Sequence, residues 1–311
     1  MGTPRTRAFL LLALANLFWS GNWVIGRALR DAIDPVTLTF WRWLIAALVL
    51  APFALPAVLA KRDLIRRNAG LILLLALTGI ILFQVLVYAG LRTTTTVNAV
   101  LLNSSMPLFI LMCSWVMERE QASRGQVAGM LVSIAGILVI LAQGESTRLL
   151  NFEFHAGDAL ILLAMPVWGV YSVLLKRRPP DLGGVPLLFI IALSGVVLLV
   201  PVLLLMSLQA PLRLPAGGEI AGVLYVALAA SVGAFICWNR GVAVVGANAA
   251  GVTFHLLPAF GTILAIVFLG ETIQGFHAAG IATILAGVFI ATRYAPQKPA
   301  TPVVAAPLPK P

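Results

Sequence analysis

Apolar runs of about twenty residues recur along most of this chain, each set off from the next by a charge or a turn residue. A hydrocarbon core about 30 Å thick takes about 20 residues of helix, so each run has the length of one crossing. Ten runs are read: 8 to 29, 36 to 60, 70 to 91, 95 to 117, 125 to 142, 157 to 177, 185 to 208, 218 to 241, 246 to 269 and 275 to 293. They do not alternate in polarity over segments of about 10 residues, as the strands of a membrane barrel would. The expected fold is therefore an all-α integral membrane protein with ten transmembrane helices. Composition supports this, since 60% of residues are hydrophobic and 10% charged, against about 25% charged in a soluble domain.

The net charge of +10 lies in short clusters between the runs rather than along one face, so no nucleic-acid partner is expected. Of the 21 Lys and Arg residues, assigning loops to alternate sides puts fifteen on one side. Five fall on the other (Arg27, Arg30, Arg92, Arg148 and Arg213), and Arg42 is left inside the second run. By the positive-inside rule both termini are then cytoplasmic, in an inner or plasma membrane. The first run continues through Trp19 and Trp23 toward Arg27, longer than a signal-peptide core, so it is expected to remain as a spanning helix. Asp34-Pro35 and Asp158 stand where helices should start. Glu120 and Glu271, just ahead of the fifth and tenth runs, are expected to accept from free helix amides. Residues 294–311 are rich in proline and are expected to form a disordered tail.

Shifting the chain by 151 residues lays the stretch from Tyr88 to Leu141 over the stretch from Asn239 to Thr292 without a gap. The identities include Gly90/Gly241, Pro107/Pro258, Phe109/Phe260, Glu120/Glu271, Gly129/Gly280 and Gly136/Gly287. Paired prolines, glutamates and glycines at one offset are not compositional noise. An offset of 149 also lays Trp19 over Trp168. Residues 1–143 and 157–293 are therefore expected to be two five-helix halves. Because five is odd, they would run in opposite senses through the membrane, an arrangement that recurs in secondary transporters with a binding site near the midplane.

The ten-run layout, the Phe268-Leu269-Gly270-Glu271 ending of the ninth run and the Gly-rich run after it resemble the drug/metabolite transporter superfamily, in its EamA-domain branch. The resemblance covers nearly the whole chain, to about residue 293. It implies two five-helix EamA halves and export of amino acids or other small metabolites, and it leaves the substrate open. The first half departs from the Gly-Glu ending, since Arg119 precedes Glu120, so only the glutamate carries over.

Polar and aromatic side chains deep in a membrane are costly and face a cavity or a partner helix. Trp19 and Trp23, with Asn16 and Ser20, share a face of the first run, and Gln84 and Tyr88 lie one turn apart in the third. Asn98 and Asn103 precede Pro107; Trp168 and Tyr171 fall in the sixth run, Trp238 in the eighth, and His255 just before Pro258 in the ninth. These ten aromatic and polar residues are the candidate substrate contacts, in a cavity lined by the first, third, fourth, sixth, eighth and ninth runs. For each, the competing reading is packing or an interhelical hydrogen bond. His255 is either a proton-coupling group or a neutral core histidine. Pro107 and Pro258 either bend their helices for packing or expose carbonyls to a ligand.

Trp41, Trp43 and Trp115 are assigned to the aromatic belts, and Arg42 is expected to snorkel to the outer surface. Cys113 and Cys237 fall in apolar runs without ligand spacing and are read as inert. No metal constellation, phosphate loop or nucleophile elbow is found, so neither an enzyme nor a cofactor is expected. With no carboxylate in mid-run, the cargo expected is a neutral or zwitterionic solute with an apolar part, an amino acid and an aromatic one above all. Amphipathic drugs and nucleosides remain as alternatives, a channel or a membrane-embedded enzyme as rivals of another class, and oligomeric state is open.

Overall fold

The helices begin where short side chains occupy their first free amides. The computed structural model describes residues 3–94, 96–142, 154–208, 214–269 and 274–295. Thr3 and Pro4 open α1 (Pro4–Leu29). Asp34 accepts from Val36 N and Thr37 N at 3.0 and 2.9 Å, with Pro35 as first residue of α2 (Pro35–Ala60). After a short α3 (Arg62–Arg67), α4 (Ala69–Leu75) and α5 (Phe83–Thr93) are joined through a π-helical stretch, Ala76–Leu82. A turn at Ser104-Ser105 separates α6 (Thr96–Asn103) from α7 (Met106–Glu118).

Helix α8 (Arg124–Ala142) starts from a reciprocal box: Gln126 N donates to Ser123 Oγ at 3.1 Å and Ser123 N to Gln126 Oε1 at 3.0 Å. The Glu120 carboxylate, just ahead of this helix, pairs with Lys176 at 2.8 Å. Glu271 lies outside the described residues. Arg119, which ends α7, has φ 56°, the left-handed conformation that glycine usually takes at a helix end.

Asp158 accepts from His155 N at 2.7 Å at the start of α9 (Ala156–Leu174). Then follow α10 (Gly184–Ser207), α11 (Gly218–Ala227), a second π-helical stretch at Leu228–Gly233, and α12 (Ala234–Val252). A 3-10 turn at Thr253–His255 leads into α13 (Leu256–Leu269), and α14 (Gly275–Arg293) completes the set. Within α12, Gly246 takes φ 80° and ψ 165°, which interrupts the helix.

Among the described residues all regular structure is helical, and eight helical segments are long and apolar enough to cross a membrane. The outer surface is greasy, with Phe53 74% exposed beside exposed leucines and valines on most long helices, as lipid contact requires. Inside, α1 packs on α12, α9 on α5 and α7, α2 on α10, and α8 on α14. The last pair approaches closely: a Cβ on Gly129 would lie 2.5 Å from Gly287 O, and one on Gly136 2.8 Å from Gly280 O. Small residues let backbones meet where apolar side chains gain nothing by leaving lipid.

Candidate functional site

The breaks in regular helix gather around one buried region. A narrow cavity there is lined by Trp19, Asn22 and Trp23 of α1, Phe83, Gln84 and Val87 of α5, Asn103, Trp168, Phe254 and Leu257. Asn22 and Trp23 lie three and four residues after Trp19 along α1, so both fall on its side of the helix, the face turned to the cavity. Phe83 and Gln84 are the first two residues of α5, directly after the π-helical stretch.

Aromatic rings close one side of this cavity. Trp19 meets Trp168 edge-on at 5.2 Å between ring centroids and stacks parallel to Phe254 at 5.5 Å. Trp168 also packs on Phe83 at 4.7 Å and Tyr171 at 4.9 Å, and Trp238 on Phe254 at 4.8 Å. Trp19 Nε1 donates to Ala230 O at 3.0 Å, a carbonyl inside the second π-helical stretch. The Nε1 atoms of Trp168 and Trp238 are buried without a hydrogen-bond partner.

The other side is polar and centred on Arg42, which is 0% exposed. Its Nε donates to Ser231 Oγ at 2.7 Å, and its Nη1 to Tyr88 Oη at 2.6 Å, Gln84 Oε1 at 2.8 Å and Asn22 Oδ1 at 3.4 Å. Tyr88 Oη in turn donates to Asn22 Oδ1 at 2.8 Å. The guanidinium lies over the rings of Trp43 at 5.4 Å and Tyr88 at 5.8 Å. Arg42 therefore does not snorkel outward: its helix turns it into the bundle, where four neutral partners hold it. Trp43 is likewise no belt residue, being fully buried against Phe235 at 4.8 Å, whereas Trp115 is 51% exposed. The signal for Arg42 was in the sequence, as a basic residue inside the second run that neither side's loops accounted for, but its flanking tryptophans pointed to the interface.

The candidate residues divide into groups. Trp19, Trp23, Gln84, Asn103 and Trp168 line the cavity. Tyr88 belongs to the arginine cluster, while Tyr171 and Trp238 form the aromatic wall, Tyr171 Oη donating to Asn239 Oδ1 at 3.0 Å. Asn98 does not join them: its side chain donates to Asp158 Oδ2 at 2.8 Å in a separate cluster that also holds Thr94 and His155. His255 is buried behind the cavity, its Nε2 3.1 Å from Ser104 O. A carbonyl only accepts, so the ring donates from Nε2. Pro107 and Pro258 are both buried in the first turn of a helix, where the broken chain restarts, rather than bending a continuous one. Phe83, Phe235 and Phe254 were missed, because nothing in an apolar run distinguishes a cavity phenylalanine from one facing lipid. Among the described residues no group of three His, Cys, Asp or Glu is placed to hold a metal.

The sequence matches the pattern of the EamA-like transporter family twice, over residues 6–142 and 155–293. It is 27% identical over 290 residues to an uncharacterized transporter of Archaeoglobus fulgidus, a match covering 92% of this chain and 98% of that protein. It is also 27% identical over 291 residues to a probable terminal-alkyne amino-acid exporter of Streptantibioticus cattleyicolor, covering 93% of this chain and 94% of that one. A solved protein structure with 24% identity superimposes with a TM-score of 0.71 over 93% of this chain and 98% of its own, a likeness of fold.

Proposed function

This chain belongs to the EamA-like transporter family of multi-pass membrane proteins, and from that premise we propose that it is a secondary transporter exporting a small neutral or zwitterionic metabolite by alternating access. An amino acid with an aromatic or other apolar side chain is the cargo we infer. The observation that carries the reading is the contact of Trp19 with Trp168 over the cavity, one ring from each family-matched half.

Helix length supports a ten-crossing architecture. The helical run Gly218–Leu264 is 47 residues, about 70 Å at 1.5 Å per residue and more than twice the hydrocarbon core, so the break at Gly246 divides two crossings. Helices α6 and α7, with the turn between them, make one more. Each half then has five crossings of opposite sense, and several features recur at the repeat offset. The π-helical stretches Ala76–Leu82 and Leu228–Gly233 occupy corresponding places. Corresponding helices pack on each other, α2 on α10 and α8 on α14. Residues 151 apart touch, as in Ser104 with His255 and Ser133 with Ile284. Such contacts occur where a two-fold axis passes between equivalent elements, and the cavity lies beside the first of them. Rocking one half on the other would open it to alternate sides. The segregation of basic residues between loops favours cytoplasmic termini and an inner or plasma membrane.

The terminal-alkyne amino-acid exporter among the relatives supports an amino-acid cargo. The test is uptake of a labelled amino-acid panel into proteoliposomes, with and without a pH gradient. Saturable uptake of an aromatic or aliphatic amino acid is the expected result, and none for any amino acid would overturn the substrate reading while leaving the family assignment in place.

A further inference from the structure

Arg42 is a buried cation that has no counter-charge among the described residues. Its four hydrogen-bond partners, Asn22, Gln84, Tyr88 and Ser231, are all neutral. No carboxylate among the described residues pairs with it, and its Nη2 has no hydrogen-bond partner although fully buried. An arginine stays protonated in proteins, so the charge persists in this interior. Cations in membrane interiors are retained chiefly where a partner or a ligand supplies the opposite charge.

We propose that Arg42 recognises a carboxylate on the transported solute. Two of its partners, Asn22 and Gln84, line the cavity, so the guanidinium stands one side chain back from it. Three acceptors crowd the two hydrogens of Nη1, and the Asn22 contact is the longest at 3.4 Å. A carboxylate displaces that weakest acceptor and spans the Nη1–Nη2 edge with two parallel bonds, engaging the free donor at the same time. Trp168 Nε1, a second unpartnered buried donor on a cavity-lining residue, favours an anionic or acceptor-rich cargo in the same direction. The apolar part of the solute then lies against Trp19, Trp23 and Trp168. This inference rests on the transporter reading of the same cavity and narrows it: the cargo carries a carboxylate, and uncharged or purely cationic analogues bind weakly.

The decisive experiment compares acid and amide of one shape on the intact protein in lipid nanodiscs, by calorimetric titration and thermal unfolding. The probes are 3-phenylpropionate against 3-phenylpropionamide and L-phenylalanine against its methyl ester, with chloride and inorganic phosphate as further arms. The acid of each pair is expected to bind at least about tenfold more tightly, the scale of a charge-assisted bidentate pair. In Arg42→Gln that preference is expected to vanish, and in Arg42→Lys to survive only in part. Equal binding of acid and amide, a preference that persists in Arg42→Gln, no stabilisation by any carboxylate, or stabilisation by chloride or phosphate equal to the carboxylates' would each overturn the proposal. Should Arg42→Gln fail to fold, the paired probes on the unsubstituted protein decide. Proteoliposome uptake that shows no preference for the acids would overturn this inference alone, whereas absence of uptake of any solute would strike the transporter reading itself.

Discussion

His255 and Ser104 stand 151 residues apart in the chain, and the ring Nε2 of the first lies 3.1 Å from the backbone carbonyl of the second. Each sits where a transmembrane helix breaks, Ser104 between α6 and α7 and His255 in the 3-10 turn before α13. Broken helices leave carbonyls without an intrahelical donor, and in lipid such groups need a partner from within the protein. The histidine supplies one, tying the two breaks together behind the cavity.

If that bond is structural, His255→Gln, which keeps a donor, should transport with the same dependence on an imposed pH gradient as the unsubstituted protein. His255→Leu strands the Ser104 carbonyl and should lose about 1–3 kcal/mol of stability in thermal or denaturant unfolding. Loss of gradient-driven accumulation in His255→Gln, with exchange preserved, would instead make the histidine the proton coupler.

Trp19 forms a wall of the cavity and bonds Ala230 O. Trp19→Ala should abolish saturable transport and cost about 3–5 kcal/mol of stability, as for large-to-small changes in a packed interior. Trp19→Phe keeps an aromatic face and loses only the hydrogen bond, so it should remain folded with a KM raised by about tenfold or less. Normal KM in Trp19→Ala would remove the cavity from the transport path.

At the α8–α14 interface, Gly129→Val places its branched carbon against Gly287 O and Gly287→Val places one against Ser133. Either should lower stability in detergent by about 3 kcal/mol or more, since a backbone contact cannot rotate away. The residual folded protein should bind substrate normally, because the interface does not reach the cavity lining; a selective loss of affinity at unchanged stability would contradict that.

Orientation is open to thiol labelling. In a background with Cys113→Ser and Cys237→Ser, a cysteine introduced at Asp31 should react with an impermeant maleimide from outside intact cells. One at Arg62 should react only after the membrane is opened. The reverse pattern would invert the assignment of both termini.

The candidate site was legible in part. Trp19, Trp23, Gln84, Asn103 and Trp168 could be picked from sequence, because a polar or indole side chain in the middle of an apolar run is costly unless something inside the protein meets it. The same rule misplaced Asn98, since it finds buried polarity without saying which polar group answers it. The answering group was Asp158, 60 residues away at the start of α9.

What the sequence determined by itself was the class of fold: apolar runs of bilayer length, an offset that maps one half on the other, and basic residues segregated between loops. Those properties are local and additive, because each segment meets the membrane on its own length and hydrophobicity. Arg42 was decided only by tertiary structure. The triplet Trp41-Arg42-Trp43 fits a membrane interface as well as a buried site, and only the packing of α2 against α5 and the second π-helical stretch brings Gln84, Tyr88 and Ser231 to the guanidinium. The direction in which a side chain points is local, but whether that direction leads to lipid or to four hydrogen-bond acceptors depends on residues up to 189 positions away.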